Sequence, residues 1–202
     1  MNGVVLISGG GSNLQSIIDN ASAIDLNICC VISSNSDAYG LKRAEKAGIA
    51  TAVIDHQLFD SRFKADKEIM KVIDDSRAVV IILAGYLRIL SPEFIEKYIG
   101  KILNIHPSLL PKFKGLNTHQ RAIDAAEKIH GASVHFVTEE LDGGPVIAQS
   151  SVEIDSTDNA KSLASKVLNK EHILYPKIIH WYTQGKIKLI DNQNVQLDGQ
   201  II

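Results

Sequence analysis

Val79-Val80-Ile81-Ile82-Leu83 carries an apolar side chain at every position, and this run constrains the fold more than any other in the chain. Successive side chains of a strand point to opposite faces, so a run with no polar member needs cover on both. Such a strand belongs in the middle of a sheet that has helices above and below it. The surrounding pattern agrees. Val4 to Ser8, Ile28 to Ser33, Ala52 to Ile54 and Ile102 to Ile105 are short β-rich runs, and amphipathic stretches lie near Asn13 to Asn20, Leu41 to Ala47, Arg62 to Asp74 and Pro92 to Tyr98. In the third stretch Phe63, Ile69, Val72 and Ile73 recur at helical spacing. Ser91-Pro92-Glu93 reads as an N-cap followed by proline at the first helical position. The alternation predicts an α/β fold: a Rossmann-like, mostly parallel central sheet with helices on both faces.

After Ile105 the rhythm changes. Pro107, Pro111 and Lys112-Phe113-Lys114-Gly115 make a long loop ahead of a short helix near Thr118 to Ala126. Strands are expected at Ala132 to Val137 and Val146 to Ile154, around the turn Leu141-Asp142-Gly143-Gly144-Pro145. A C-terminal long helix from about Asn159 to Thr183 and a small hairpin within Lys186 to Ile202 complete the chain. No repeat or linker interrupts the 202 residues, so a single domain over 1–202 is expected, with an N-terminal half of about 1–100 and a C-terminal half of about 101–202.

Composition narrows the partners. With 21 basic and 23 acidic residues the net charge is −2, which provides no field to hold nucleic acid or an anionic membrane. No stretch approaches the roughly 20 apolar residues of a membrane span. Met1-Asn2-Gly3-Val4 has no basic n-region, so no signal peptide is expected, and the address is cytoplasmic. Cys29 and Cys30 are neighbours in an apolar run, expected on opposite faces of one strand as reduced, buried thiols. They have no further ligands at zinc spacing, and neither His-Glu-x-x-His nor Gly-x-Ser-x-Gly occurs, so no metal and no serine nucleophile is expected.

Two places carry chemistry. Ser8-Gly9-Gly10-Gly11-Ser12-Asn13 leaves the first strand and opens the first helix, where backbone N–H groups and the helix dipole favour a phosphate. The P-loop's Gly-Lys-Ser/Thr is missing, Leu14 stands where the dinucleotide fingerprint needs its third glycine, and the second strand ends Ser33-Ser34-Asn35 with no acidic partner for a ribose. A mononucleotide-sized phosphate ligand fits; a tight turn with no ligand uses the same glycines. At the fifth strand, Asn104 and His106 point to one face at a C-terminal edge, offering an amide donor and a proton switch suited to a developing oxyanion. A loop-entrance histidine would look the same. Asp142 sits in a Gly-rich turn where a carboxylate can orient an imidazole, or where Asp-Gly serves only the turn. His135 reads as a hydrogen-bonded strand residue, and His56, His130 and His180 as solvated or packing residues.

The Ser8 to Leu14 loop, Leu83-Ala84-Gly85-Tyr86-Leu87-Arg88-Ile89-Leu90, Asn104-Ile105-His106-Pro107-Ser108-Leu109-Leu110-Pro111 and Val134-His135-Phe136-Val137-x-x-x-Leu141-Asp142-Gly143-Gly144-Pro145 together closely resemble the phosphoribosylglycinamide formyltransferases. The likeness runs from Met1 to about Gln200. The Asn-x-His-Pro-Ser-Leu-Leu-Pro block is shared with the wider formyltetrahydrofolate family, including a tRNA-directed transferase and a hydrolase, each expected to carry a further domain for which this chain has no room. The resemblance implies transfer of the formyl group of 10-formyltetrahydrofolate, a cosubstrate, to the amine of phosphoribosylglycinamide in purine biosynthesis, with no metal. It implies catalytic roles for Asn104, His106 and Asp142. Gly11, Ser12 and Asn13 match the phosphate loop, and Glu171 matches a contact to phosphoribosylglycinamide. Arg62, Leu87, Arg88, Ile89, Leu90, Asn104, Glu140 and Leu141 match folate contacts. Gly10 departs from the asparagine of many relatives. The partners implied are small molecules, and the assembly a monomer or homodimer. The rival readings are a hydrolase that gives the formyl group to water and a phosphate-binding module that turns nothing over.

Overall fold

The computed structural model describes all 202 residues, as two units, Met1–Asn104 and Ile105–Ile202. The first holds β1 (Asn2–Ile7), β2 (Asn27–Ser33), β3 (Thr51–Val53), β4 (Val80–Leu83) and most of β5 (Ile102–His106). Every pairing among them is parallel, in the order β3-β2-β1-β4-β5. Val80 to Leu83 are buried throughout, as a run without polar members requires; Val79, at 45% exposed, falls just outside the strand. Strand order runs outward from β1 in both directions. Right-handed crossovers therefore put α1 (Ser12–Asn20) and α2 (Tyr39–Lys46) on one face, and α3 (Arg62–Asp75) and α4 (Pro92–Lys97) on the other. The packing follows, α1 against α2 and α3 against α4. The reversal of order between β1 and β4 opens a crevice at their carboxyl ends, the position where open α/β sheets take ligands.

Local signals set the helix boundaries. Ser61 Oγ accepts from the Lys64 N–H at 3.2 Å to start α3, and Ser91 Oγ accepts from Phe94 N–H at 3.3 Å ahead of Pro92 to start α4. α3 buries Ala65, Ile69, Met70 and Ile73; each large side chain so buried contributes about 1.5–3 kcal/mol. One expectation fails here. Cys30 is buried but Cys29 is half-exposed, because Gly3 pairs with Ile28 and Val4 with Cys30, leaving Cys29 as the extra residue of a bulge.

In the second unit β6 (Ile129–Phe136) and β7 (Val146–Glu153) pair antiparallel, with α5 (Thr118–Asp124) and α6 (Ala160–Thr183) packed together and α6 lying against both strands. α6 opens with a capping box: Asn159 Oδ1 accepts from Ser162 N–H at 3.0 Å and Ser162 Oγ accepts from Asn159 N–H at 3.0 Å. The tail forms three short antiparallel strands, β8 (Ile187–Leu189), β9 (Val195–Leu197) and β10 (Gln200–Ile201), one more than a hairpin.

Candidate active site

Leaving β1, the chain passes through Gly9 and Gly10 to Gly11, whose φ of 69° is left-handed and where a Cβ would lie 2.7 Å from Gly40 Cα. Both conditions demand glycine. The loop is fastened to α2: Gly9 O accepts from Gly40 N–H at 3.0 Å, and Gly10 O from Arg43 Nε at 2.9 Å. Arg43 is itself held by Gln15 Oε1 at 3.1 Å and by the Tyr39 ring, 5.0 Å from its guanidinium carbon. Carbonyls that would repel an anion are thus turned into α2. At α1 the cap Gly11 brings no side chain, and the first turn, Ser12 and Asn13 included, holds no acidic residue, so the dipole's positive end is not neutralised from within. A Cβ at Gly10 would meet nothing within 4 Å, so an asparagine there fits the same backbone.

Beyond β4 the turn Gly85 to Leu90 begins with Gly85 at φ 75°. Ser8 N–H donates to Gly85 O at 3.1 Å, Leu87 N–H donates to Ser8 Oγ at 2.9 Å, and Ser91 N–H donates to Asp66 Oδ2 at 2.6 Å. Tyr86 Oη and His56 Nε2 share a hydrogen bond of 2.7 Å. Leu87 and Ile89 are exposed, with Arg88 between them, whereas the Leu90 side chain is buried. Burial lowers the His56 pKa and the guanidiniums of Arg88 and Arg62 lower it further, against the pull of Asp66, so both cations act on the same ring.

The second unit contains a histidine and carboxylate centre. His106 Nδ1 lies 3.4 Å from Asp142 Oδ2, with both side chains more than nine-tenths buried. His106 Nε2 donates to Phe113 O at 3.0 Å; a carbonyl only accepts, so Nε2 carries hydrogen, and Nδ1 faces Asp142. Asp142 Oδ2 also accepts from Gly115 N–H at 2.8 Å. The loop 112–117 therefore touches both partners. It is compact because Phe113, Gly115 and Asn117 are all left-handed, and Arg121 donates to Lys114 O at 2.6 Å and stacks on Phe113. Beneath it, Ser133 Oγ donates to Ser108 O at 2.6 Å and accepts from Leu110 N–H at 3.0 Å, while Gln149 holds Leu110 O at 2.8 Å. β6 and β7 thus fix the segment that follows His106. On the other side, Gly144 lets the turn pass the Phe136 carbonyl, which any Cβ there would overlap.

Of the residues named from sequence, His106 and Asp142 meet directly. Asn104 precedes His106 by two residues in β5, half-buried, with its Cα paired to Leu83. Glu171 is buried in the middle of α6, unlike most charged residues of a long helix. Glu140 is exposed and bonded to Lys114 Nζ at 2.6 Å, and Leu141 is exposed. Sequence reasoning missed Arg43, and it read His135 as a hydrogen-bonded strand residue, which it is. Arg43 reads as the polar face of α2; its distance of 33 residues from Gly10 leaves no local signal. His135 is a buried strand residue, its Nδ1 donating to Phe136 O at 2.8 Å, but its Nε2 also faces Asp142 Oδ1 at 3.8 Å. Desolvation lowers its pKa, against the opposing pull of the Phe136 carbonyl and of Asp142.

Comparison with known proteins shows the family. The formyl transferase family model matches residues 1–179. The chain is 48% identical to the phosphoribosylglycinamide formyltransferase of Escherichia coli K12 over 202 residues, covering 99% of this chain and 95% of that one. It is 41% identical to the human trifunctional purine biosynthetic protein adenosine-3, covering 95% of this chain but 19% of that longer protein. Among solved structures, the phosphoribosylglycinamide formyltransferase of Coxiella burnetii, in complex with CHES, superimposes with a TM-score of 0.96 at 45% identity, over 100% of this chain and 95% of that one.

Proposed function

The chain belongs to the formyl transferase family, and we propose that it passes the formyl group of 10-formyltetrahydrofolate to the glycine amine of phosphoribosylglycinamide, in purine biosynthesis, through Asn104, His106 and Asp142. The observation that carries this reading is the buried approach of His106 Nδ1 to Asp142 Oδ2 at 3.4 Å. The donor supplies an acyl carbon bonded to a nitrogen that leaves once it is protonated. The amine attacks that carbon, a C–N bond forms, and the carbonyl π pair moves onto oxygen. The Asn104 amide and the Nε2–H of a His106 imidazolium hold the resulting oxyanion, and Asp142 favours the imidazolium by placing its charge opposite Nδ1. The Phe113 carbonyl engages that Nε2–H, so reaching the oxyanion requires it to be displaced. The attacking nitrogen gives up a proton, and collapse breaks the bond to the folate nitrogen, which takes up a proton through His106 or a water. The whole of 1–202 acts as one formyltransferase domain, its N-terminal half holding phosphate at Gly11, Ser12 and Asn13. Glu171 contacts phosphoribosylglycinamide, and Arg62, Leu87 to Leu90, Glu140 and Leu141 take the folate.

Positioning and oxyanion stabilisation supply the rate, with no covalent enzyme intermediate. The test is one assay containing 10-formyltetrahydrofolate with and without phosphoribosylglycinamide. Formylated amine is the expected product, and formate release of equal rate without the amine would overturn the acceptor.

A further inference from the structure

Ser8 stands where three strand ends converge, and its chemistry there is not explained by the glycine loop that it begins. Its backbone N–H reaches Gly85 O at 3.1 Å, beyond β4. Its hydroxyl oxygen accepts the Leu87 N–H at 2.9 Å and shares a 2.7 Å hydrogen bond with Ser34 Oγ, just beyond β2. Ser34 is buried and is fixed in turn by its own N–H, which donates to Ile7 O at 3.1 Å. One hydroxyl thus ties the ends of β1, β2 and β4 at the point where strand order reverses.

We propose that Ser8 is a positioning residue for the formyl donor: its hydroxyl sets the turn Leu87 to Leu90 at a fixed height above the sheet. This rests on the reading that the turn takes the folate. Leu87, Arg88 and Ile89 are exposed, so between the buried Tyr86 and Leu90 the first part of the turn has no buried side chain to hold it. Its far end is tied by Ser91 N–H to Asp66 Oδ2 at 2.6 Å, and its near end by Ser8. A hydroxyl meets both demands at this place, since it accepts from an amide while sharing its proton with a second hydroxyl. The phosphate loop does not depend on that hydroxyl. Gly9 and Gly10 are fastened to α2 by Gly40 and Arg43, and the Ser8 N–H survives any substitution except proline. The hydroxyl therefore bears on one substrate and not the other.

The experiment is steady-state kinetics of Ser8→Ala, Ser8→Thr and Arg88→Ala with 10-formyltetrahydrofolate and phosphoribosylglycinamide, alongside thermal melts. Ser8→Ala is expected to raise the KM for the folate about five- to tenfold, the worth of one hydrogen bond, with the KM for phosphoribosylglycinamide within about twofold. Ser8→Thr restores the folate KM. Equal rises in both KM values, a lowered Tm with the folate KM unchanged, or failure of threonine to restore it overturns the proposal. If Ser8→Ala does not fold, Ser8→Cys substitutes a poorer acceptor at similar size and must show the same one-sided rise. Arg88→Ala separates the levels. If it raises the folate KM while the Ser8 variants do not, the positioning role alone falls; if it leaves the folate KM unchanged, the folate reading of the turn falls and the proposal with it.

Discussion

At the end of β1 the groups offered to an anion are backbone N–H groups in the first turn of α1, shaped by the smallness of Gly9, Gly10 and Gly11 and by the clamp from Gly40 and Arg43. At the end of β5 they are side chains, an imidazole facing a carboxylate at 3.4 Å under a loop that bonds to both. The first arrangement is sensitive to bulk and indifferent to ionisation. The second is sensitive to the position of a single proton. On the proposed reading the difference separates binding from chemistry, because a backbone cradle keeps the same charge through a reaction whereas an imidazole can change its own.

The comparison breaks most readily at His106. His106→Ala is expected to lower turnover about a thousandfold, with the KM for phosphoribosylglycinamide within about threefold; a parallel loss of binding would merge the two regions into one. Asp142→Asn keeps the shape and removes the charge, so turnover falls about tenfold or more, measured by initial rates at saturating substrates, and unchanged turnover would remove Asp142 from the mechanism. At the cradle, Gly11→Val places a branched side chain where Gly40 Cα already sits and should weaken the phosphorylated substrate about tenfold relative to the folate, whereas Gly10→Asn should leave both within about twofold. Ligand titrations of the two variants decide it.

A smaller effect concerns pH. Burial holds the His130 imidazole down at about 4, with His119 adding to the shift. Between its ordinary value of 6.5 and about 4 the unfolded chain takes up a proton that the folded one refuses, so stability falls as pH falls through that window. His130→Asn should remove about 2 kcal/mol of that acid loss, read from denaturant melts at pH 7 and pH 4.5.

Much of the fold was legible because its signals are local. Ser91-Pro92 caps α4 as its residue types dictate, and Val80 to Leu83 announce a strand covered on both faces. The boundaries that shifted did so through contacts. β6 starts at Ile129, ahead of the expected Ala132, because His130 and Gly131 pair with Val152 and Ser151 of β7. Of the candidate site, the family likeness named His106 and Asp142, which meet in the structure, but not the residues that support them. Arg43, Ser34, Ser133 and Gln149 act on segments more than ten residues away, and nothing in their own neighbourhoods distinguishes them from ordinary polar positions.

The contact of Gly11 with Gly40 bears on how the loop can change over time. Where a large residue crowds another, a second mutation that shrinks the neighbour relieves it. Here the neighbour is already glycine, and a Cβ on Gly11 would press on its Cα at 2.7 Å. No smaller amino acid exists. Suppressors of a Gly11 variant should therefore be true revertants, or changes that move α2 as a body, which makes this pair a one-way door for mutation.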